Sequence, residues 1–220
     1  MCSESCILFG ARTLSPGDVL QKSILEVGAR GVGLKPLIVS WRPKEYIGVD
    51  IRAGPNVDSV VPAAHLVERF GPDRFDLVIS TEMLEHIADW RTAIRNMKQV
   101  CRPGGLILIT TRSPGYRLHG APDDYWRFTP EDMRTIFSDS EILAVESDPQ
   151  DPGVFVLARK QEKVPVDPML SVRVRSIISG RPESEVPRRA MRSVRYRSRL
   201  VLVKVRDIVD YLSQRVLVRV

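Results

Sequence analysis

Cysteine and histidine are scarce in this 220-residue chain, at three each, and the scarcity excludes several architectures. Cys2, Cys6 and Cys101 are too few and too scattered to staple a disulfide scaffold. Cys2 and Cys6 have the spacing that opens an iron–sulfur motif, yet no third cysteine follows nearby, so a loose N-terminal segment is expected. The three histidines contain no pair at metal-ligand spacing, and no metal site is expected. Long apolar runs are missing as well: nothing approaches the roughly 20 uncharged residues of a membrane span. The opening residues lack the basic stretch and cleavage pattern of a secretory leader, which points to the cytoplasm. Internal repeats and low-complexity tracts are absent too.

What is present is an ordinary apolar fraction, enough for one full α/β domain with material left over. Charge is unevenly placed. Residues 1–158 hold 17 Lys and Arg against 21 Asp and Glu, a net −4, while residues 159–220 hold 16 against 6, a net +10. The basicity therefore belongs to the tail. The Val164–Pro168 stretch reads as a linker, dividing the chain into a domain over 1–163 and a basic amphipathic extension over 164–220.

Four short apolar runs read as buried strands: Ser23–Val27, Glu45–Asp50, Phe75–Ser80 and Leu106–Thr111. Trp90, Ala93, Ile94, Met97 and Cys101 recur at helical spacing over Asp89–Val100, and Arg102-Pro103-Gly104-Gly105 stops that helix. Thr129-Pro130-Glu131-Asp132 predicts a capped helix running to about Phe137. Glu141–Glu146 and Gly153–Arg159 read as closing strands. Alternating strands and helices predict a doubly wound, Rossmann-like, mostly parallel α/β sheet with an antiparallel closing strand. Ligands of such sheets bind outside the carboxyl ends of the strands.

The first strand runs directly into Gly28-Ala29-Arg30-Gly31-Val32-Gly33. A glycine-rich turn lets backbone approach a ligand closely. The order G-x-x-G-x-G is not the G-x-G-x-x-G of dinucleotide binders. Glu26, two residues before the first glycine, suits a cofactor with a positive amino group and would repel a pyrophosphate. Asp50 ends the next strand, where a carboxylate can accept hydrogen bonds from both hydroxyls of a ribose.

In these motifs, over about residues 20–160, the chain resembles the class I S-adenosylmethionine-dependent methyltransferases. The resemblance implies S-adenosyl-L-methionine as cofactor, with Glu26 and the loop of Gly28, Ala29, Arg30 and Gly31 at its methionine part. Asp50 would bind the ribose, and Ile51 and Arg52 would flank the adenine. Val61-Pro62-Ala63-Ala64 departs from the family pattern, with proline in place of the acid that holds the adenine amino group; the backbone of Ala63 remains for that purpose. Ser80-Thr81-Glu82-Met83-Leu84-Glu85-His86-Ile87, followed by a helix and Arg-Pro-Gly-Gly, is similar to the small-molecule branch. The resemblance sets Ser80, Thr81 and Glu82 against the cofactor, with Glu82 and His86 near the acceptor. For His86 a local turn-capping role has equal standing.

A Gly- and Pro-rich, aromatic loop follows the fifth strand, running from Ser113 through His119 to Phe128. Such loops on rigid scaffolds carry function. Its His-Gly-x-Pro-x-Asp-Tyr-Trp-Arg-Phe pattern is similar to a subgroup associated with methylation of glycans or natural products. For an alcohol acceptor, His119 or His86 would be the general base. Tyr116, Asp123, Asp124 and Tyr125 are the candidate acceptor-binding residues, while Trp126 and Phe128 are expected to pack. The implied reaction is methyl transfer to a small-molecule or glycan-like acceptor, at oxygen. A cofactor-binding module without catalysis and a nucleic-acid methyltransferase are the alternatives, the second weakened because no Asn-Pro-Pro-Tyr-like motif is present. In the tail, Arg188, Arg189, Arg192, Arg195, Arg197 and Arg199 precede an apolar stretch from Leu200, which suits a solvated face, a peripheral membrane contact or a protein partner.

Overall fold

The computed structural model describes residues 3–31, 33–120, 123–162 and 167–217. Of residues 207 and 209–217 it describes the helical backbone alone. In chain order the elements are α1 (Glu4–Thr13), β1 (Ser23–Val27), α2 (Lys35–Ser40), β2 (Glu45–Asp50), β3 (Ser59–Val60), α3 (Leu66–Phe70), β4 (Phe75–Thr81) and α4 (Trp90–Val100). They continue with β5 (Cys101–Arg112), β6 (Trp126–Arg127), α5 (Pro130–Ile136), β7 (Ser140–Ser147) and β8 (Gly153–Lys160). Last come β9 (Val174–Ser176), β10 (Pro182–Glu183), α6 (Arg188–Met191) and α7 (Val194–Leu217).

Seven strands form one sheet in the order β3-β2-β1-β4-β5-β8-β7. Pairing is parallel from β3 through β5, and β8 runs antiparallel to both of its neighbours. This is the expected doubly wound sheet with its antiparallel closing strand. Alternation along the strands divides the core between two faces. Leu25, Val78, Ile107 and Val156 face α4 and α5, where Ile94, Met97 and Met133 pack. Ile24, Leu77, Leu108 and Phe155 face α1 and α2, where Phe9, Leu34 and Ile38 pack.

Two helix starts follow from capping chemistry. The Asp89 carboxylate accepts from the Thr92 amide (3.1 Å) at the head of α4. Thr129 and Asp132 form a reciprocal capping box before α5, with Pro130 in the first turn. Each cap is worth about 1 kcal/mol.

Two expectations need correction. Residues 4–13 are not a loose segment: they form α1, because Cys6 and Phe9 are both fully buried against the sheet. Cys2 lies outside the described residues, as do residues 163–166 of the expected linker. Nor does the core stop at the expected boundary, since Met169, Val172 and Val174 belong to the same buried cluster as β1 and α4. Arg91 on α4 ties this return segment down, donating to the carbonyls of Met169 (3.1 Å), Val172 and Ser184. A second, three-stranded sheet, β10-β9-β6, joins the segment to the loop after β5. The tail's mixed pattern folds as α7, whose Tyr196 and Val203 pack on Leu118 and Ile178.

Candidate functional site

At the carboxyl end of β1 the chain turns on Gly28, with φ of 87°. The amides of Gly28 and Ala29 both donate to the Val49 carbonyl (2.8 and 3.0 Å), which fastens the turn to β2. A Cβ on Gly28 would stand 2.9 Å from Met83 Cβ, so sterics and backbone both demand glycine. Gly31 is different. A Cβ there would meet no described residue within 4 Å, because the residue faces an open cleft.

Glu26 lies on the Ile24 face of β1, under the glycine turn. Its carboxylate is buried and accepts from the Tyr46 hydroxyl. A Cβ on Gly33 would come within 2.2 Å of Glu26 Oε1. Burial pushes Glu26 up, against the Tyr46 hydrogen bond and the Lys35 charge. The side chain thus braces the turn from beneath and does not line the cleft; Ala29 is buried with it.

The cleft has a volume of about 670 Å³, within the usual range of small-molecule sites. Because β2 and β4 flank β1, the strand ends set its two sides. Asp50, Ile51, Arg52, Val61 and Ala63 line one side, and Thr81, Glu82, Met83, His86, Asp123 and Tyr125 the other. Asp50 Oδ1 accepts from the Arg52 amide (3.0 Å), and a carboxylate has room for several further donors. Arg30, Gly28 and Gly31 form the floor between them.

Glu82 opens the far side with a left-handed backbone, φ 52°, a conformation that costs a non-glycine residue energy and that clusters at functional sites. It pairs with the buried Arg112 and accepts from Thr110 Oγ1 (3.1 Å). Burial and the charges of Glu85 and Cys6 push its carboxyl up to about 9, against Arg112.

Next to it stands a cluster that the chain assembles from distant positions. Glu85 is fully buried, and its Oε2 accepts from Thr111 Oγ1 (2.7 Å). Its Oε1 has no hydrogen-bond partner among the described residues and lies 3.8 Å from Nε2 of both His86 and His119. The two imidazoles meet edge to face, 4.7 Å between centroids. His86 Nδ1 donates to the Asp123 carbonyl, and His119 Nδ1 to Asp124 Oδ2 (3.1 Å). Both rings therefore turn their Nε2 inward.

Of the candidate residues, Gly28, Arg30, Gly31, Asp50, Ile51, Arg52, Ala63, Thr81, Glu82, His86, Asp123 and Tyr125 share the cleft. Ser80 does not: it is fully buried inside β4, beside Met83 Sδ. Tyr116 stands behind the cleft, its ring 4.0 Å from the Arg112 guanidinium and 5.1 Å from His119. Asp124 is also no acceptor ligand. It is wholly buried and its oxygens are taken by Arg127 and His119. Burial alone would raise Asp124, but hydrogen bonds from Arg127 and His119 outweigh it and hold the carboxyl at about 2. Trp126 and Phe128 are core residues, and Trp126 Nε1 donates to the Ile87 carbonyl (2.9 Å). Sequence reasoning missed Glu85, Arg112 and Arg127. A charged residue inside an otherwise apolar strand or turn was the available signal for all three.

Residues 7–143 match the family model of a methyltransferase domain. Among curated relatives, the ubiquinone biosynthesis O-methyltransferase of Methylobacterium sp. (strain 4-46) is 35% identical over 100 residues, covering 43% of this chain and 37% of that protein. The enzyme of the same name from Serratia proteamaculans (strain 568) is 28% identical over 108 residues, covering 43% and 44%. The chain thus spans about two fifths of the length of these relatives. In fold it is similar to the Burkholderia thailandensis 1,6-didemethyltoxoflavin-N1-methyltransferase, solved with S-adenosylhomocysteine, at TM-score 0.56 and 20% identity over 72% of this chain and 77% of that one. It is also similar to Haemonchus contortus phosphoethanolamine N-methyltransferase 1, at TM-score 0.58 and 16% identity over 74% and 43%.

Proposed function

The chain belongs to the class I S-adenosylmethionine-dependent methyltransferases, and from that membership we propose that it methylates an oxygen of a small-molecule or glycan-like acceptor. The observation that carries the reading is the cleft itself, with a glycine floor, Asp50 on one flank and the Glu85–His86–His119 group by the other. The cleft suits S-adenosylmethionine because Gly31 leaves open the space a side chain would fill.

Gly28 and Gly31 would carry the cofactor's methionine part on their backbone, with Asp50 accepting from the ribose hydroxyls. Ile51, Val61 and Ala63 supply an apolar slot for the base. When bound, the cofactor supplies a methyl group on a positively charged sulfur. The protein's part is to align the acceptor oxygen and to remove its proton. Asp123 and Tyr125 would contact the acceptor, and its hydroxyl proton would leave at the His86–His119 pair. Oxygen as the methylated atom draws support from the names of the two curated relatives.

Calorimetry with S-adenosylhomocysteine tests the cofactor half: one site per chain is expected, weakened by Asp50→Ala. Labelled methyl incorporation into a panel of phenols, catechols and sugars tests the acceptor half. Binding without transfer to any oxygen would reduce the protein to a cofactor-binding module.

A further inference from the structure

The Glu85–His86–His119 cluster contains more than a base requires. Three side-chain atoms able to ligate a cation converge there. Glu85 Oε1 is buried and has no hydrogen-bond partner among the described residues. Each imidazole spends its Nδ1 proton on a protein oxygen, His86 on the Asp123 carbonyl and His119 on the Asp124 carboxylate. With Nδ1 held on its outer side, each ring turns its Nε2 toward Glu85. The separations of 3.8 Å from Glu85 Oε1 to both Nε2 atoms are too long for hydrogen bonds. All three ligand atoms lie within 4.8 Å of one another. A buried carboxylate oxygen beside two inward-turned ring nitrogens is the donor set that a cation between them would satisfy.

We propose that these three side chains form a binding site for a divalent first-row transition metal ion, two imidazole nitrogens and one carboxylate oxygen holding it at the acceptor end of the cleft. Metal–ligand bonds of about 2.0–2.2 Å span the 3.8 Å separations, and a small rotation of the imidazoles closes the rest. Two nitrogens and one oxygen suit Zn²⁺, Fe²⁺, Mn²⁺ or Co²⁺ better than Mg²⁺ or Ca²⁺, which prefer all-oxygen shells. The shell around the ligands is already built. Asp123, Asp124 and Thr111 each hold one ligand by its outward atom, the arrangement that orients metal-binding histidines and carboxylates. Asp124 is in turn locked by Arg127.

Three protein ligands leave coordination positions facing the cleft, which His86 lines. With both Nε2 atoms on the ion, the ion takes over the imidazoles' part in deprotonation: an acceptor hydroxyl that reached it would release its proton to solvent and stay bound as the oxyanion. This deepens the proposed function and rests on it for the acceptor's position; the ion's binding does not depend on it.

The test uses the full chain, stripped with a chelator and titrated with Co²⁺, whose visible absorption reports nitrogen and oxygen ligation. One Co²⁺ per chain is expected, displaced by Zn²⁺. His119→Ala and the isosteric Glu85→Gln should each abolish the band, and Thr111→Val should weaken binding by about 10–100-fold. Circular dichroism confirms that each variant is folded. Absence of the band in the wild type, or its persistence in both folded ligand variants, overturns the proposal. Calorimetry with S-adenosylhomocysteine separates the readings. Cofactor binding without Co²⁺ ligation removes the metal site alone, and Co²⁺ ligation without cofactor binding removes the methyltransferase reading alone.

Discussion

Arg127 grips Asp124 with both arms of its guanidinium, Nη1 to Oδ1 at 2.5 Å and Nη2 to Oδ2 at 2.7 Å, and neither side chain is more than 1% exposed. The same guanidinium donates to the carbonyls of Tyr116 (3.2 Å), Arg117 (2.8 Å) and Trp126 (2.7 Å). One buried cation thereby closes the loop after β5 on itself. Arg127→Ala should destabilise the protein by about 3–5 kcal/mol, because it leaves Asp124 charged and unpaired. Arg127→Lys should recover little, since a point charge cannot reproduce the two-armed grip. Urea denaturation measures both.

Acid should unlock the same pair. Asp124 is held at about 2, below its ordinary 3.8. A depressed carboxyl stabilises the fold above its unfolded pKa and loses that contribution as pH falls through the folded value. Stability should therefore decline by about 2 kcal/mol between roughly pH 4 and pH 2. Asp124→Asn should flatten that part of the curve while being less stable at neutral pH. A wild-type curve with no such decline would contradict the assignment.

Gly28 and Gly31 should separate under substitution. Gly28→Ala meets Met83 and strains a left-handed backbone, so it should cost about 2 kcal/mol or more. Gly31→Leu has space, and should change stability by less than about 0.5 kcal/mol. Its side chain fills the cleft, however, and S-adenosylhomocysteine affinity should fall at least about tenfold. Thermal melts and calorimetry on the two variants give opposite orders of severity.

Asp50→Ala should leave the melting temperature unchanged, because among the described residues its carboxylate accepts a side-chain hydrogen bond only from the Arg52 amide two residues away. Cofactor affinity should fall by about 1.5–3 kcal/mol, the loss of hydrogen bonds to a charged acceptor. Unchanged affinity would remove Asp50 from the ribose site.

The return segment and α7 should have different weights. Deleting residues 165–220 strips Met169, Val172 and Val174 from the core and should unfold the domain, at about 2–5 kcal/mol for each large side chain lost. Deleting residues 194–220 removes, among the described residues, the cover of Tyr196 and Val203 over Leu118 and Ile178 and the Arg199 and Arg206 bonds to the Ile177 and Leu118 carbonyls. It should leave cofactor binding intact while amide exchange in residues 113–125 accelerates.

Much of this was legible where one local rule decided the outcome. Ser23–Val27 and Glu45–Asp50 are strands at the expected limits, since both are short apolar runs bounded by turn residues. The heads of α4 and α5 followed from Asp89 and Thr129. The residues around Gly28 and Asp50 converged because strand order brings successive strand ends together. What the pattern hid was non-local. The amphipathic signal of α1 is weak, because its buried face mixes the apolar Cys6 and Phe9 with the small Ser5 and Gly10. His86 and His119 have no metal spacing along the chain, yet a buried Arg127–Asp124 pair and the turn after β4 bring their rings together. Tyr196 and Val203 became core only once Leu118 and Ile178 had arrived opposite them.

The pairing of β6 with β9, Trp126 to Ser176 and Arg127 to Arg175, bears on inheritance as well as on packing. The loop after β5 and the segment that returns from beyond the sheet share one ladder of backbone hydrogen bonds. Neither can be exchanged with a relative's counterpart alone without leaving an unpaired edge. Exchanging that loop therefore means moving two stretches of chain, some fifty residues apart, as a single cassette.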